Sequence, residues 1–196
     1  MYPLRLCGWV DLSMEQIGVL DAEELAFFAQ RAFERKDLEK ALIYVKLAME
    51  QSEFPPLCHA LAGKIYAQMG LFARAVRSLT TYSELCPADY HERCQLGLAL
   101  YRQGNESEAL EAWNGALQHN ATHPPALFFA AYAQAARQSW ADAQRLIDIL
   151  LTSAGDENLF SIKAQQLREW INAANSGVGQ DALAWPRDLK EDLVFG

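Results

Sequence analysis

The side chains of this sequence that could do chemistry are its cysteines, its histidines and a few closely spaced carboxylates. The four cysteines are Cys7, Cys58, Cys86 and Cys94, and no two of them have C-x-x-C spacing. The first 16 residues contain only a short apolar run that ends at Asp11, which is too short for a secretory signal. We therefore expect reduced thiols in the cytoplasm and no disulfide framework.

Two pairs of potential metal ligands stand at helical spacing. His91 lies three residues before Cys94, and His119 lies four residues before His123. A protein zinc site needs three or four ligands. No carboxylate, cysteine or histidine completes either pair, so we expect no metal and no cofactor.

The carboxylates do not form a pattern typical of catalysis. Glu23 and Glu24 stand at a predicted helix start, where negative charge is favourable, and Asp188 and Glu191 are typical of a solvated tail. We find no nucleophile beside a base and no glycine loop for a phosphate. The sequence therefore predicts a protein that is not an enzyme.

The charge balance limits the class of partner. The 196 residues contain 17 basic and 25 acidic side chains, for a formal net charge of -8, and 51% are hydrophobic. Nucleic acid and anionic membranes both require a cationic surface. No apolar run approaches the 18 or more residues of a membrane span. We expect a protein partner, no nucleic acid and no membrane span.

The strongest pattern is a set of small residues that recur every 34 positions. The two rows are Ala29, Gly63, Gly97 and Ala131, and Ala41, Ala75, Ala109 and Ala143. A bulky residue recurs at the same interval, as Val45, Leu79, Trp113 and Ile147. This spacing predicts repeated helix pairs, A and B, that cross at the small residues. A larger side chain at such a crossing would cost about 1–3 kcal/mol.

The pattern divides the chain into three parts. Residues 1–20 form an N-terminal segment with a short helix, which either covers the first repeat or mediates a homodimer. Residues 21–174 hold the repeats and a final helix, and the Asp21 and Glu24 pair predicts a capping box at the first repeat helix. Residues 175–196 read as a flexible tail, which either has no role, docks onto the array or binds a partner.

These features resemble the tetratricopeptide repeat family over residues 22–157. The residues that carry the resemblance most completely are Gly63, Tyr66, Gly70, Ala75, Leu79 and Pro87. The chain departs from the family pattern at two turns, which have Lys36 and Gln138 in place of glycine, and at the helix A tryptophan. The resemblance implies an all-α fold, a right-handed superhelical α-solenoid of about four helix-turn-helix units with an N-terminal helix and a C-terminal capping helix.

In that family the A helices line a concave groove. Carried onto this sequence, the predicted peptide-binding residues are Gln30, Phe33, Leu57, Lys64, His91, Leu98, Tyr101, Phe128 and Tyr132. The set is mainly apolar and fits an extended or helical segment of a protein. The alternative is that these residues pack on the neighbouring A helix or under the ends of the chain.

The carboxylate clamp of chaperone-binding family members is missing, because its places hold Ala26, Gln30, Leu61, His91 and Gln95. Of sixteen groove positions only Lys64 is basic, which argues against an RNA-binding helical repeat. We therefore expect an adaptor, an assembly scaffold or a chaperone. The short first helix, the apolar groove and the last helix, which begins DENLFSIKAQQLREWI, also resemble the translocator (class II) chaperones of type III secretion, although those usually have three repeats.

Overall fold

The computed structural model describes residues 18–155 and 157–175, which form nine α-helices and no β-strand. The helices are α1 (Ala22–Glu34), α2 (Leu38–Met49), α3 (Leu57–Gln68), α4 (Phe72–Leu85), α5 (Tyr90–Gln103), α6 (Glu106–His119), α7 (Pro124–Ala136), α8 (Trp140–Ser153) and α9 (Leu159–Asn175). The all-α fold predicted from the repeats is confirmed. Within the described ranges, no helix is both long and apolar enough to cross a membrane.

Three predictions fall on other parts of the chain. The short helix expected within residues 1–20, the homodimer through that segment and the tail from residue 176 onward lie outside the described residues, apart from residues 18–20. They stay predictions.

The first compact unit of the described chain ends at Cys58 and contains the α1–α2 hairpin. Its first helix begins at the predicted capping box. The Asp21 carboxylate accepts a hydrogen bond from the Glu24 N–H at 2.8 Å, and the Glu24 carboxylate accepts one from the Asp21 N–H at 3.1 Å. Two of the four free N–H groups at the helix start are thereby satisfied.

The second unit begins at His59 and contains the hairpins α3–α4, α5–α6 and α7–α8, followed by α9. Helix α5 packs on α4 and α7 packs on α6, so each hairpin covers an apolar side of the one before it. Helix α9 packs on both α7 and α8, as the first helix of a further hairpin would.

The four turns inside the hairpins share one backbone conformation at 34-residue spacing. Lys36, Gly70, Gly104 and Gln138 have φ values of 64°, 73°, 97° and 60°, all left-handed. In each case the following residue donates its N–H to the carbonyl five residues earlier, over 2.8 to 3.0 Å. This bond closes the end of helix A, and it requires the left-handed residue before it. The two turns without glycine therefore follow the same geometry at a conformational cost.

The small residues allow the helices of a hairpin to touch. A β-carbon on Gly97 would overlap the indole of Trp113, which lies 2.6 Å from it at Cδ1, and one on Gly63 would lie 2.9 Å from Cδ2 of Leu79. The indole Nε1 of Trp113 donates to the Cys94 carbonyl at 3.2 Å. All six alanines of the two rows have no exposed surface. The crossings predicted from the 34-residue spacing are confirmed.

We predict opposite effects of glycine at two turns of the second unit. Gln138→Gly relieves a left-handed residue and should raise the free energy of unfolding by about 0.5–1 kcal/mol, whereas Gly104→Ala should lower it by about 1–2 kcal/mol. Nothing lies within 4 Å of a β-carbon on Gly104, so the loss reports backbone strain alone. Urea denaturation measures both.

Gly155→Ala is the matched control, because Gly155 has equally open surroundings and a φ outside the left-handed region. It should leave the free energy of unfolding unchanged or slightly raised. Equal losses for Gly104→Ala and Gly155→Ala would contradict the turn assignment.

Candidate functional site

The structure separates the nine predicted groove residues by exposure. Four are buried, three are half-buried and two are exposed, and in that order they are Phe33, Leu98, Phe128 and Tyr132; Gln30, Lys64 and Tyr101; and Leu57 and His91. Gln30, Phe33 and Leu57 belong to the first unit, and the other six belong to the second. Their role in binding a partner stays a prediction.

Phe128 and Tyr132 take part in a closed circuit of aromatic rings within the second unit. The six rings are Tyr101 of α5, Trp113 of α6, Phe128, Phe129 and Tyr132 of α7, and Phe160 of α9. Successive ring centroids lie 5.7 to 6.3 Å apart. Such spacing is typical of stabilising aromatic pairs. Phe128 and Tyr132 thus pack between helices, and their substitution would report on stability before it reported on binding.

Lys64 is held by an ion pair between neighbouring A helices. Its Nζ lies 2.9 Å from Oε1 of Glu92 on α5, and the two side chains are only 13% and 12% exposed. The other oxygen, Glu92 Oε2, is buried without a hydrogen-bond partner, and so is Oε1 of Gln95 one turn further along α5. The basic groove residue predicted from the sequence is therefore neutralised, and two acceptors stand beside it unused.

The structure brings together a pair of histidines that the sequence analysis did not consider. His91 and His123 have ring centroids 4.8 Å apart, and Tyr90 lies 4.3 Å and 5.1 Å from them. Their spacing of 32 residues, close to one repeat, was the available signal. Burial, and then His91, lower the pKa of His123 to about 4. Within residues 18–155 and 157–175, no three histidine, cysteine or acidic side chains form a group that could hold a metal.

Cys94 offers no reactive thiol. Its side chain is 1% exposed, and burial, reinforced by Glu92, raises its pKa. A thiol must ionise to act as a nucleophile or as a metal ligand. Cys94 therefore belongs to the helix packing.

The groove positions continue onto α9, which the sequence analysis did not include among the binding residues. A further step of 34 residues leads from Pro125 to Leu159 and from Phe128 to Ile162. Leu159 is 59% exposed and Ile162 is 45% exposed, whereas Phe128 is fully buried. Counting one more repeat would have identified both from the sequence. We call the groove positions of α3, α5, α7 and α9 within the second unit the helix-A face.

Helix α9 differs from the other A helices where a helix B would cross. The same step leads from Ala131 to Gln165, which is exposed. Arg168, on the same side one turn later, pairs with Asp148 of α8 at 3.6 Å. A polar side of this kind suits a capping helix, which faces water instead of another repeat.

Solved structures with the same fold were found by comparison. The structure aligns with MamA (residue 41 to the end) from Desulfovibrio magneticus RS-1 at a TM-score of 0.71 and 18% identity, over 87% of this chain and 93% of that one. It aligns with YrrB, described as a TPR protein with an unusual peptide-binding site, at 0.66 and 16%, over 74% of each chain. The fold is that of the tetratricopeptide repeat.

A third tetratricopeptide structure is the TPR2B domain of yeast Sti1, in a complex with pHsp70. It aligns at a TM-score of 0.57 and 22% identity, over 61% of this chain and 97% of that domain. No protein-family model matches the sequence. A search of curated proteins gives no match either. At these identities the similarity is one of fold, and it confirms the tetratricopeptide resemblance.

We predict that His123 makes the protein less stable in mild acid. Its folded pKa of about 4 lies below the ordinary 6.5, so between these values the unfolded chain binds a proton that the folded protein does not. The free energy of unfolding should therefore fall by about 2–3 kcal/mol as the pH drops from 6.5 to 4. Urea denaturation at a series of pH values measures it.

His123→Phe keeps an aromatic ring and should flatten this part of the pH profile. His119→Gln is the control, because His119 is exposed at the end of α6 and its loss should leave the profile unchanged. An unchanged slope in His123→Phe would refute the assignment.

Proposed function

We propose that this chain is a protein–protein interaction module that binds a segment of a partner protein along the helix-A face. It would act as an adaptor, an assembly scaffold or a chaperone. The observation that carries the proposal is the exposure of Leu159 and Ile162 at groove positions of α9. Burying such side chains against a partner is worth roughly 1.5–3 kcal/mol each.

The fold supports the same class of function. YrrB is described as having a peptide-binding site, and the Sti1 domain is seen in a complex with pHsp70. Those statements concern those proteins, and the shared fold makes a peptide or protein ligand the first candidate here. The chemistry of the ligand would differ, because the clamp positions His91 and Gln95 supply no fixed cation for a carboxylate.

The partner is proposed to be protein and not nucleic acid. Lys64, the basic residue among the predicted groove positions, is already paired with Glu92. Phosphate binding requires cations that are free to neutralise it. The cytoplasm remains the expected location, and catalysis is not part of the proposal.

A narrower version is a chaperone for translocator proteins of type III secretion. The apolar start of α9, with Leu159 and Ile162 exposed, is suited to holding an apolar secretion substrate. The four repeat hairpins exceed the three usual in that class. The nature of the captured partner separates the two versions. A large protein with long apolar segments that co-expression keeps soluble would support the chaperone, and a partner without such segments would support the general scaffold.

We predict that polar substitution of the α9 pair abolishes partner binding. Leu159→Ser combined with Ile162→Ser removes the exposed apolar surface, and because neither side chain is buried, the helical content should not change. Affinity capture from the source cell followed by mass spectrometry measures the loss, which we expect to be at least tenfold.

Leu85→Ser is the matched control, because Leu85 is 56% exposed but lies on α4, a B helix. Its variant should capture the partner as the unmodified chain does. Undiminished capture by the α9 double variant, or an equal loss with Leu85→Ser, would rule out the helix-A face as the binding surface.

A further inference from the structure

We infer that the partner segment binds as an extended chain whose backbone N–H groups donate hydrogen bonds to Glu92 and Gln95 on α5. This inference rests on the proposed function and specifies the conformation of the ligand. Its site lies on the helix-A face between α3 and α5, where Lys64 and Glu92 join the two helices.

Two buried acceptors mark the site. Glu92 uses Oε1 for Lys64, while its Oε2 has no hydrogen-bond partner, and Oε1 of Gln95 has none either. Buried polar atoms are almost always hydrogen-bonded in folded proteins, so each exception requires an explanation. Both atoms are oxygens that only accept, and a ligand that satisfies them must therefore donate.

The donor is neutral. The Glu92 carboxylate already has a cation, the Lys64 ammonium, at 2.9 Å. A lysine or arginine from the partner would place a second positive charge within a few ångströms of Lys64, in a half-buried region where charges are weakly screened. A backbone N–H satisfies the same oxygens without adding charge.

The spacing of the acceptors fits an extended chain. Residues three apart on a helix have β-carbons about 5–6 Å apart on one face. An extended chain presents an N–H on the same side at every second residue, about 6.6 Å apart. The interior of a helical ligand has no free N–H, because each one is bonded within the helix. Two N–H groups at positions i and i+2 of an extended segment therefore match Glu92 and Gln95.

The test uses the full chain and a display library of unstructured twelve-residue peptides. Selected peptides are synthesised, and their affinities are measured by calorimetry for the unmodified chain and for Gln95→Leu, which removes the acceptor at similar size. We expect at least a tenfold loss with Gln95→Leu. Gln134→Leu, a change at a half-buried glutamine of α7, should leave the affinity unchanged. Circular dichroism should show both variants folded.

An N-methyl scan of the peptide provides the second readout. Methylation of two backbone nitrogens, two residues apart, should each lower the affinity at least tenfold, and one of these effects should vanish in Gln95→Leu. Unchanged affinity in Gln95→Leu, or peptides that bind only as helices, would overturn the inference. So would peptides that lose binding when one lysine or arginine becomes norleucine but tolerate N-methylation throughout.

The outcome separates this inference from the proposed function. Peptides that lose binding to the Leu159→Ser and Ile162→Ser variant but not to Gln95→Leu would overturn the extended-chain site and leave the interaction module intact. A library that yields no binder, or binders indifferent to both variants, would contradict the proposed function and this inference together.

Discussion

The close approach of two helices at a glycine is the constraint on which the second unit depends. Gly97 lies against the indole of Trp113, and no side chain could be added there without moving one helix off the other. The indole uses the space for a hydrogen bond to the Cys94 carbonyl. Because the equivalent crossing recurs after 34 residues, successive hairpins have the same shape and can stack. The A helices thereby come to lie side by side.

That stacking explains why one part of the helix-A face is closed and another is open. At α7 the rings of Phe128 and Tyr132 are covered by packing that includes Tyr101 and Phe160. At α9 the corresponding row is exposed. A rigid aromatic cluster thus holds a smaller accessible surface, which a partner can bind without repacking the core.

The sequence was most informative where a local rule repeats. The small residues, the turn positions and the capping box at Asp21 were all predictable, because each depends on a few neighbouring residues or on a constant interval. Even the turns at Lys36 and Gln138, which lack glycine, adopt the backbone that the spacing required. The exposure of the groove residues was not predictable. A repeat position shows which way Phe128 points, but not how closely Phe160 of the next A helix packs upon it.

The central claim is that the helix-A face binds a protein segment, and site-specific photocrosslinking tests it most directly. A benzophenone amino acid is placed in turn at His91 and Ile162 on the A helices, and at Leu85 and Ile149 on the B helices, in the source cell. All four side chains are exposed, so each probe is accessible. We predict that probes at His91 and Ile162 crosslink to the same partner polypeptide and that probes at Leu85 and Ile149 do not. A partner crosslinked only from the B helices would contradict the account.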